Sequence, residues 1–267
     1  MANSQDESLR MERCPVHGEY ESRRVSPSIW IGCLACAKAA EEARNAAEAS
    51  ALAQEVVQRR LWLSGLQGRF VESRFENYVA QSDEQRLVLQ ACKDFVDTLD
   101  EQQGGLTLVG QPGTGKTHLG SAMVNALIRD HHKAAMIFSS REIVRLLRST
   151  WGNRPPPVVA RYASVRGEYV TLTRPETEAG MIEMLAHVPL LVIDEVGAQF
   201  DTNAEIVQLF DVIDARYKQQ LPTVVLSNLT GTELKAALGD RAYDRLREGG
   251  RFLVCKWESY RRGYVGS

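Results

Sequence analysis

Leu190–Ile193 is a short, wholly apolar run, the pattern of a strand buried on both faces of a parallel sheet. Comparable runs at Leu106–Val109, Ala134–Phe138, Pro222–Asn228 and Arg251–Cys255 predict four more strands. Helix-like stretches alternate with them: Ser82 to Leu99, His118 to Ile128, from Ser139 or Ser140 to Trp151, Ala204 to Tyr217, Thr230 to Leu238, and Gly239–Arg247 carries a charged helix face. Spacing puts Leu87, Cys92, Phe95 and Leu99 on one buried face, and Ile206, Leu209, Phe210 and Ile213 on another. Ser82 and Gln85 fit a capping box. Strands alternating with helices predict an α/β fold with helices on both sides of a central parallel sheet.

The first third of the chain is patterned differently. Ala37 to Leu63 is Ala-rich, free of Gly and Pro, and predicts one long helix. Its weak apolar stripe (Leu52, Val56, Val57, Leu61, Leu63) leaves open whether it is a solvated spacer or an interaction arm. Ser64–Gly68 breaks it. We therefore expect a small module over 1–38, a helical linker over 39–66 and a large domain over 67–267. Gly152–Arg174 is the least regular stretch, with Pro155–Pro157, Arg154, Arg161, Arg166, Tyr162 and Tyr169.

Composition narrows the function classes. The 267 residues are 44% hydrophobic and 25% charged, with a formal net charge of −2. The whole chain is not a polybasic nucleic-acid binder, so such binding must come from local basic faces. No apolar run approaches the roughly 20 residues of a membrane helix, and Met1–Arg13 lacks the apolar core of a secretion signal. A cytoplasmic protein with no membrane partner is expected. Five cysteines, an odd number, argue against a disulfide scaffold.

The chemistry is carried by a few motifs. Gly110-Gln-Pro-Gly113-Thr114-Gly115-Lys116-Thr117 fills every fixed position of a phosphate-binding loop, between a predicted strand and a predicted helix. Glycines let successive N–H groups point at an anion, Lys116 reaches the β- and γ-phosphates, and the Thr117 hydroxyl ligates Mg²⁺. Asp194 and Glu195 end the apolar run, at the sheet edge where ligands bind. Asp194 is expected to hold Mg²⁺ and Glu195 to orient the attacking water. Asn228 ends a second strand and suits a contact to the γ-phosphate. Arg241 and Arg245 share one helix face and can present a guanidinium to a neighbouring subunit's phosphate. Near the N-terminus, Cys14-Pro-Val-His17 and Cys33-Leu-Ala-Cys36 have the spacing of a tetrahedral zinc site with no open position, hence a scaffold. Arg145, Arg148 and Trp151, with the arginines and tyrosines of 152–174, are candidates for DNA contact.

Taken together, Phe75-Glu-Asn-Tyr78, the Gly110–Thr117 loop with His118-Leu119, Leu190–Gly197, Leu226-Ser-Asn228, Asp244-Arg-Leu-Arg247 and Trp257-Glu-Ser-Tyr-Arg-Arg262 resemble the DnaC-type replicative helicase loaders among the AAA+ ATPases. The resemblance spans Phe75 to Arg262. The cysteine-bearing front end is similar to those of phage and prophage DnaC-like proteins. The resemblance implies a three-layer αβα AAA+ domain without a C-terminal lid. It implies an ATP-controlled switch that assembles with itself, binds a hexameric DnaB-type helicase and engages single-stranded DNA. It implies ATP, Mg²⁺ and Zn²⁺ as ligands, Arg245 as arginine finger, Asn228 as first sensor and Arg261 as a second-sensor-like arginine. Trp151 falls near a DNA-contacting aromatic of the family, and the Gly152–Glu178 region is longer than in the enterobacterial form. Two other functions share the motifs: an IstB-type transposition accessory ATPase, and an adaptor that uses nucleotide only to fix its shape.

Overall fold

The computed structural model describes residues 8–102, 104–152, 158–197 and 202–260. It divides into two compact units, Met1–Val56 and Val57–Ser267.

In the first unit, β1 (Leu9–Cys14), β2 (Gly18–Ser26) and β3 (Ile29–Trp30) form a small antiparallel sheet in that order. The sequence pattern does not mark β1, whose alternation is blurred by charged residues. The Arg10 guanidinium lies 4.1 Å from the centre of the Trp30 ring. The helix α1 (Leu34–Leu63) follows and buries none of its residues fully.

The second unit is built on a five-stranded sheet. Its strands are β4 (Leu106–Gly110), β5 (Ala135–Ser139), β8 (Leu190–Asp194), β9 (Thr223–Ser227) and β10 (Arg251–Cys255), in the order β10-β4-β9-β8-β5. Every pairing is parallel. Alternate side chains go to opposite faces, so Leu190 and Val192 point into one apolar layer and Leu191 and Ile193 into the other. The first layer is closed by α2 (Asp83–Asp97) and α3 (Lys116–Arg129), through Phe95, Leu119, Met123 and Leu127. The second is closed by α4 (Ser140–Ser149), α5 (Glu178–His187), α6 (Asn203–Lys218), α7 (Gly231–Leu238) and α8 (Asp240–Arg247). This is the expected three-layer αβα arrangement. The outer strand β5 is partly covered, because the Ile137 N–H donates to the Ser64 carbonyl at 2.7 Å.

Most boundaries fall within a few residues of the periodicity, and the Ser82–Gln85 capping box is present. One buried face differs: Leu87 is 70% exposed and Val88 takes the inward position. The larger difference is in 152–174, expected to be irregular. It holds an antiparallel hairpin, β6 (Val158–Ala163) and β7 (Tyr169–Thr173), with a register shift between Val158 and Ala160. Short strands carrying arginine and polar residues on one side give no apolar run.

A candidate nucleotide site and a cysteine–histidine cluster

The parallel sheet brings the carboxyl ends of β4, β8 and β9 to one edge, and the loops leaving them share a cavity of about 530 Å³. Pockets of roughly 300–1,000 Å³ suit small-molecule ligands. Lys116, Thr117, Asp194, Glu195 and Asn228 all line it. Residues far apart in sequence thus meet because the fold crosses over between β4 and β8.

The loop from Gly110 to Gly115 has no room for side chains at two points. Gly113 has φ of 86°, and a Cβ there would lie 1.9 Å from the Ser259 hydroxyl; Gly115 has φ of 90°, and its Cβ would lie 2.8 Å from the Tyr78 ring. Thr114 ties the loop internally, its hydroxyl donating to the Gln111 carbonyl at 2.9 Å. The Lys116 ammonium donates to the carbonyls of Gly110 at 2.7 Å and Gln111 at 2.9 Å. These contacts hold a largely buried cation at the mouth of the loop, beside the N-terminus of α3.

The Thr117 hydroxyl donates to Asp194 Oδ2 at 2.8 Å, and the Glu195 N–H donates to Asp194 Oδ1 at 2.7 Å. Burial pushes the Asp194 carboxyl above its ordinary range, against those two hydrogen bonds. A hydroxyl and a partly desolvated carboxylate converging on one point is a donor set that fits a divalent cation. Glu195 has φ of 53°, a left-handed conformation that is uncommon for a side-chain-bearing residue. The Ser140 hydroxyl donates to the Glu195 carbonyl at 3.1 Å and helps hold that turn. Asn228 is exposed at the end of β9.

Sequence reasoning missed the residues that frame the loop from outside. The Trp257 indole N–H donates to the Thr114 carbonyl at 2.9 Å, and the Tyr260 N–H donates to the Gly113 carbonyl at 3.0 Å. The Tyr260 hydroxyl donates to the Val79 carbonyl at 2.8 Å. The segment Trp257–Tyr260 therefore straps the phosphate loop to the chain around Tyr78. Those aromatics are visible in the sequence as motifs, but nothing in their spacing says what they touch.

Arg245 does not line the cavity. It lies half-buried on α8, with its Nε 3.2 Å from Asp214 Oδ1 and its guanidinium 4.0 Å from the centre of the Tyr217 ring. Arg241 is exposed on the same helix. Arg154 and Arg261 lie outside the described residues. Of the DNA candidates, Arg145 is exposed on α4, Arg148 is 3.1 Å from Glu205, and the Trp151 indole N–H donates to Glu178 at 3.0 Å.

In the first unit, the ligand atoms of Cys14, His17, Cys33 and Cys36 all lie within 4.8 Å of one another. His17 Nδ1 is 3.7 Å from Cys14 Sγ, 3.6 Å from Cys33 Sγ and 3.2 Å from Cys36 Sγ. Tetrahedral zinc, with bonds of about 2.0–2.3 Å, spaces its ligand atoms roughly 3.3–3.8 Å apart. The cluster fits that cation. Backbone N–H groups of Val16 and His17 pull the Cys14 thiol down to about 6, while sharing a hydrogen bond with Cys14 pushes Cys36 up to about 11. A central cation would relieve that competition.

Comparison with known proteins places the chain. The replicative helicase loader DnaC of Buchnera aphidicola subsp. Schizaphis graminum is 33% identical over 207 residues, 77% of this chain and 76% of that protein. The chain belongs to the DnaC-type helicase loader family. Escherichia coli K12 DnaC is 28% identical over 211 residues, 79% of this DnaC-type chain and 78% of its relative. A family described as IstB-like ATP binding protein matches residues 170–264. The crystal structure of the DnaC helicase loader superposes with a TM-score of 0.57, covering 70% of this chain and 99% of that one at 21% identity, and shares the fold. The AAA+-like α/β architecture is thus that of the family, and the family is one of P-loop ATPases. Among the described residues, no helix is long and apolar enough to cross a membrane.

Proposed function

We propose that the chain is an ATP-hydrolysing switch that places a hexameric replicative helicase on single-stranded DNA and releases it on hydrolysis. The observation that carries this is the convergence of the Thr117–Asp194 pair, Glu195 and Asn228 on the phosphate-loop cavity, in a chain of the helicase-loader family.

On this reading Lys116 leaves the carbonyls of Gly110 and Gln111 for the β- and γ-phosphates, while the loop N–H groups and the α3 N-terminus hold the remaining negative charge. Thr117 and Asp194 would hold Mg²⁺, which when bound would supply charge neutralisation to the phosphates. Glu195 orients water, and Asn228 hydrogen-bonds the γ-phosphate. Arg245 leaves Asp214 and Tyr217 and reaches the phosphate of a neighbouring copy, so the site is completed by ATP-dependent self-association. Cys14, His17, Cys33 and Cys36 hold a structural zinc in the module of 1–38; 39–66 is the arm and 67–267 the ATPase domain. The protein works in the cytoplasm.

The test pairs binding with loading. The Lys116→Ala protein should lose ATP binding and ATP-dependent assembly of the helicase on single-stranded DNA. Arg245→Ala should keep ATP binding and lose about a thousandfold in partner-stimulated hydrolysis, the scale of a missing arginine finger. The family match over 170–264 favours a second reading, a transposition accessory ATPase. Affinity capture from the native cell separates the two: a transposase retained with ATP and no helicase would overturn the loader reading.

A further inference from the structure

The hairpin that replaces the expected irregular segment has two unlike faces. The register pairs Ala160 with Leu172 and Tyr162 with Val170 on one face, and Arg161 with Thr171 and Ala163 with Tyr169 on the other. Directly opposed residues share a face, so the strands sort the aromatic and basic residues of this stretch. Leu172 is buried, and the Tyr162 ring packs against Trp62 with centroids 4.6 Å apart. This inner face anchors the hairpin to the last turn of α1. Tyr162 is thereby removed from the residues able to meet a ligand.

The other face is turned out. Tyr169 is 88% exposed, and Arg161, Ala163 and Thr171 around it are exposed too. Its neighbours across the strand are small, so both the ring and its surroundings are open. Arg161 sits diagonally from Tyr169, a separation of about 7–8 Å that long side chains span. Arg166 is exposed in the turn joining the strands. Among the described residues, no carboxylate lies within ion-pair distance of Arg161 or Arg166, and Glu168 is the one acid in the hairpin. Holding an uncovered aromatic ring on a basic ribbon is costly for solubility and contributes nothing to the core.

We infer that the outer face of the β6–β7 hairpin is a contact surface for single-stranded DNA, Tyr169 stacking on a base and Arg161 and Arg166 meeting the flanking phosphates. This rests on the loader reading and names where its DNA runs. A polyanion suits the two guanidinium groups, and a base suits the exposed ring, because every base offers a π-face. A protein partner fits less well: the middle of this face offers one ring and no large aliphatic side chain, whereas interface centres are apolar and densely packed.

The test uses the full chain with ATP and Mg²⁺ and a short fluorescent oligothymidylate, read by anisotropy across a salt series. Tyr169→Ala should weaken binding by about tenfold, the scale of one missing base stack, and Tyr169→Phe should restore it. Arg161→Gln with Arg166→Gln should flatten the plot of log affinity against log salt by about 1.4, roughly 0.7 for each phosphate that is no longer neutralised. All three side chains are exposed, and unchanged thermal melting checks that the fold is intact. Wild-type affinity and salt slope in both Tyr169→Ala and the double variant overturn the inference while leaving the loader reading standing. Loss of helicase capture with unchanged DNA affinity also overturns it, assigning the face to protein. A wild-type chain that binds no single-stranded DNA overturns both readings together.

Discussion

Among the described residues, Arg216 is the least solvated charge, fully buried on α6. Its guanidinium donates to the carbonyls of Leu185 at 2.8 Å, Val188 at 2.7 Å and Pro222 at 2.6 Å, and to the Thr223 hydroxyl at 3.0 Å. Burial pushes it down to about 9 from its ordinary value. Its carbonyl partners come from the end of α5 and the chain entering β8 and β9, so one side chain fixes the entry of two core strands. Arg216→Met leaves several buried carbonyls unpaired, each worth about 1–3 kcal/mol. We expect a loss of at least about 3 kcal/mol in chemical denaturation; a loss below about 1 kcal/mol would show that water replaces the guanidinium. Asp214, close by on the same helix, acts in the opposite sense. A hydrogen bond from Lys218, with Arg245 nearby, holds its carboxyl below the usual carboxylate range. Its folded value is depressed, so its contribution is present above the unfolded value of about 3.9 and fades as pH falls through the folded value. Asp214→Asn should therefore be less stable than the parent near neutrality, with the difference closing in strong acid. A difference that persists undiminished at the acid end would mean that packing, not charge, is what Asp214 supplies.

Helix and strand identity is legible in the sequence where one physical signal dominates. The buried strands stand out as apolar runs, and the phosphate loop and the acids at the end of β8 fall where strand ends require. Among the described residues, capping boxes are present at three places, Ser82–Gln85, Ser139–Glu142 and Thr230–Glu233. Only the first stands out, because the other two begin at or just after strand ends, where the hydrophobic pattern dominates. The hairpin, β1 and Val88 are not legible, since each depends on what lies opposite in three dimensions. The same holds for the strap Trp257–Tyr260, whose aromatics carry hydrogen bonds to the phosphate loop that no spacing encodes. The strap makes a prediction about that element. Trp257→Phe keeps much of the ring packing and removes the single N–H held by Thr114. One hydrogen bond of about 1 kcal/mol corresponds to roughly fivefold weaker ATP binding if the strap sets the loop's conformation. Calorimetric titration measures it directly, and unaltered affinity would reduce the strap to packing.

The two units have different sources of stability. The second buries a two-layer apolar core on either face of its sheet, with side chains such as Phe95, Leu119, Met181 and Leu209 fully excluded from water. In the first, the only described residues that are buried are Cys14 and Ser22. A three-stranded sheet that buries so little cannot offset its own chain entropy by apolar burial. If Cys14, His17, Cys33 and Cys36 hold zinc as proposed, they supply the alternative, because metal binding is then folding energy. Removing the metal should act on one unit alone. A strong chelator should bring the amides of β1, β2 and β3 to rapid hydrogen exchange, while those of β4, β8 and β9 stay protected and ATP affinity stays as before. Cys14→Ser should reproduce that pattern without chelator and should abolish stoichiometric zinc in the purified chain. Collapse of protection in β4, β8 and β9 on chelation would mean that the fold of the ATPase unit depends on the cluster. Intact protection of β1 and β2 in metal-free protein would mean that the thiols and imidazole hold the small sheet by hydrogen bonds alone.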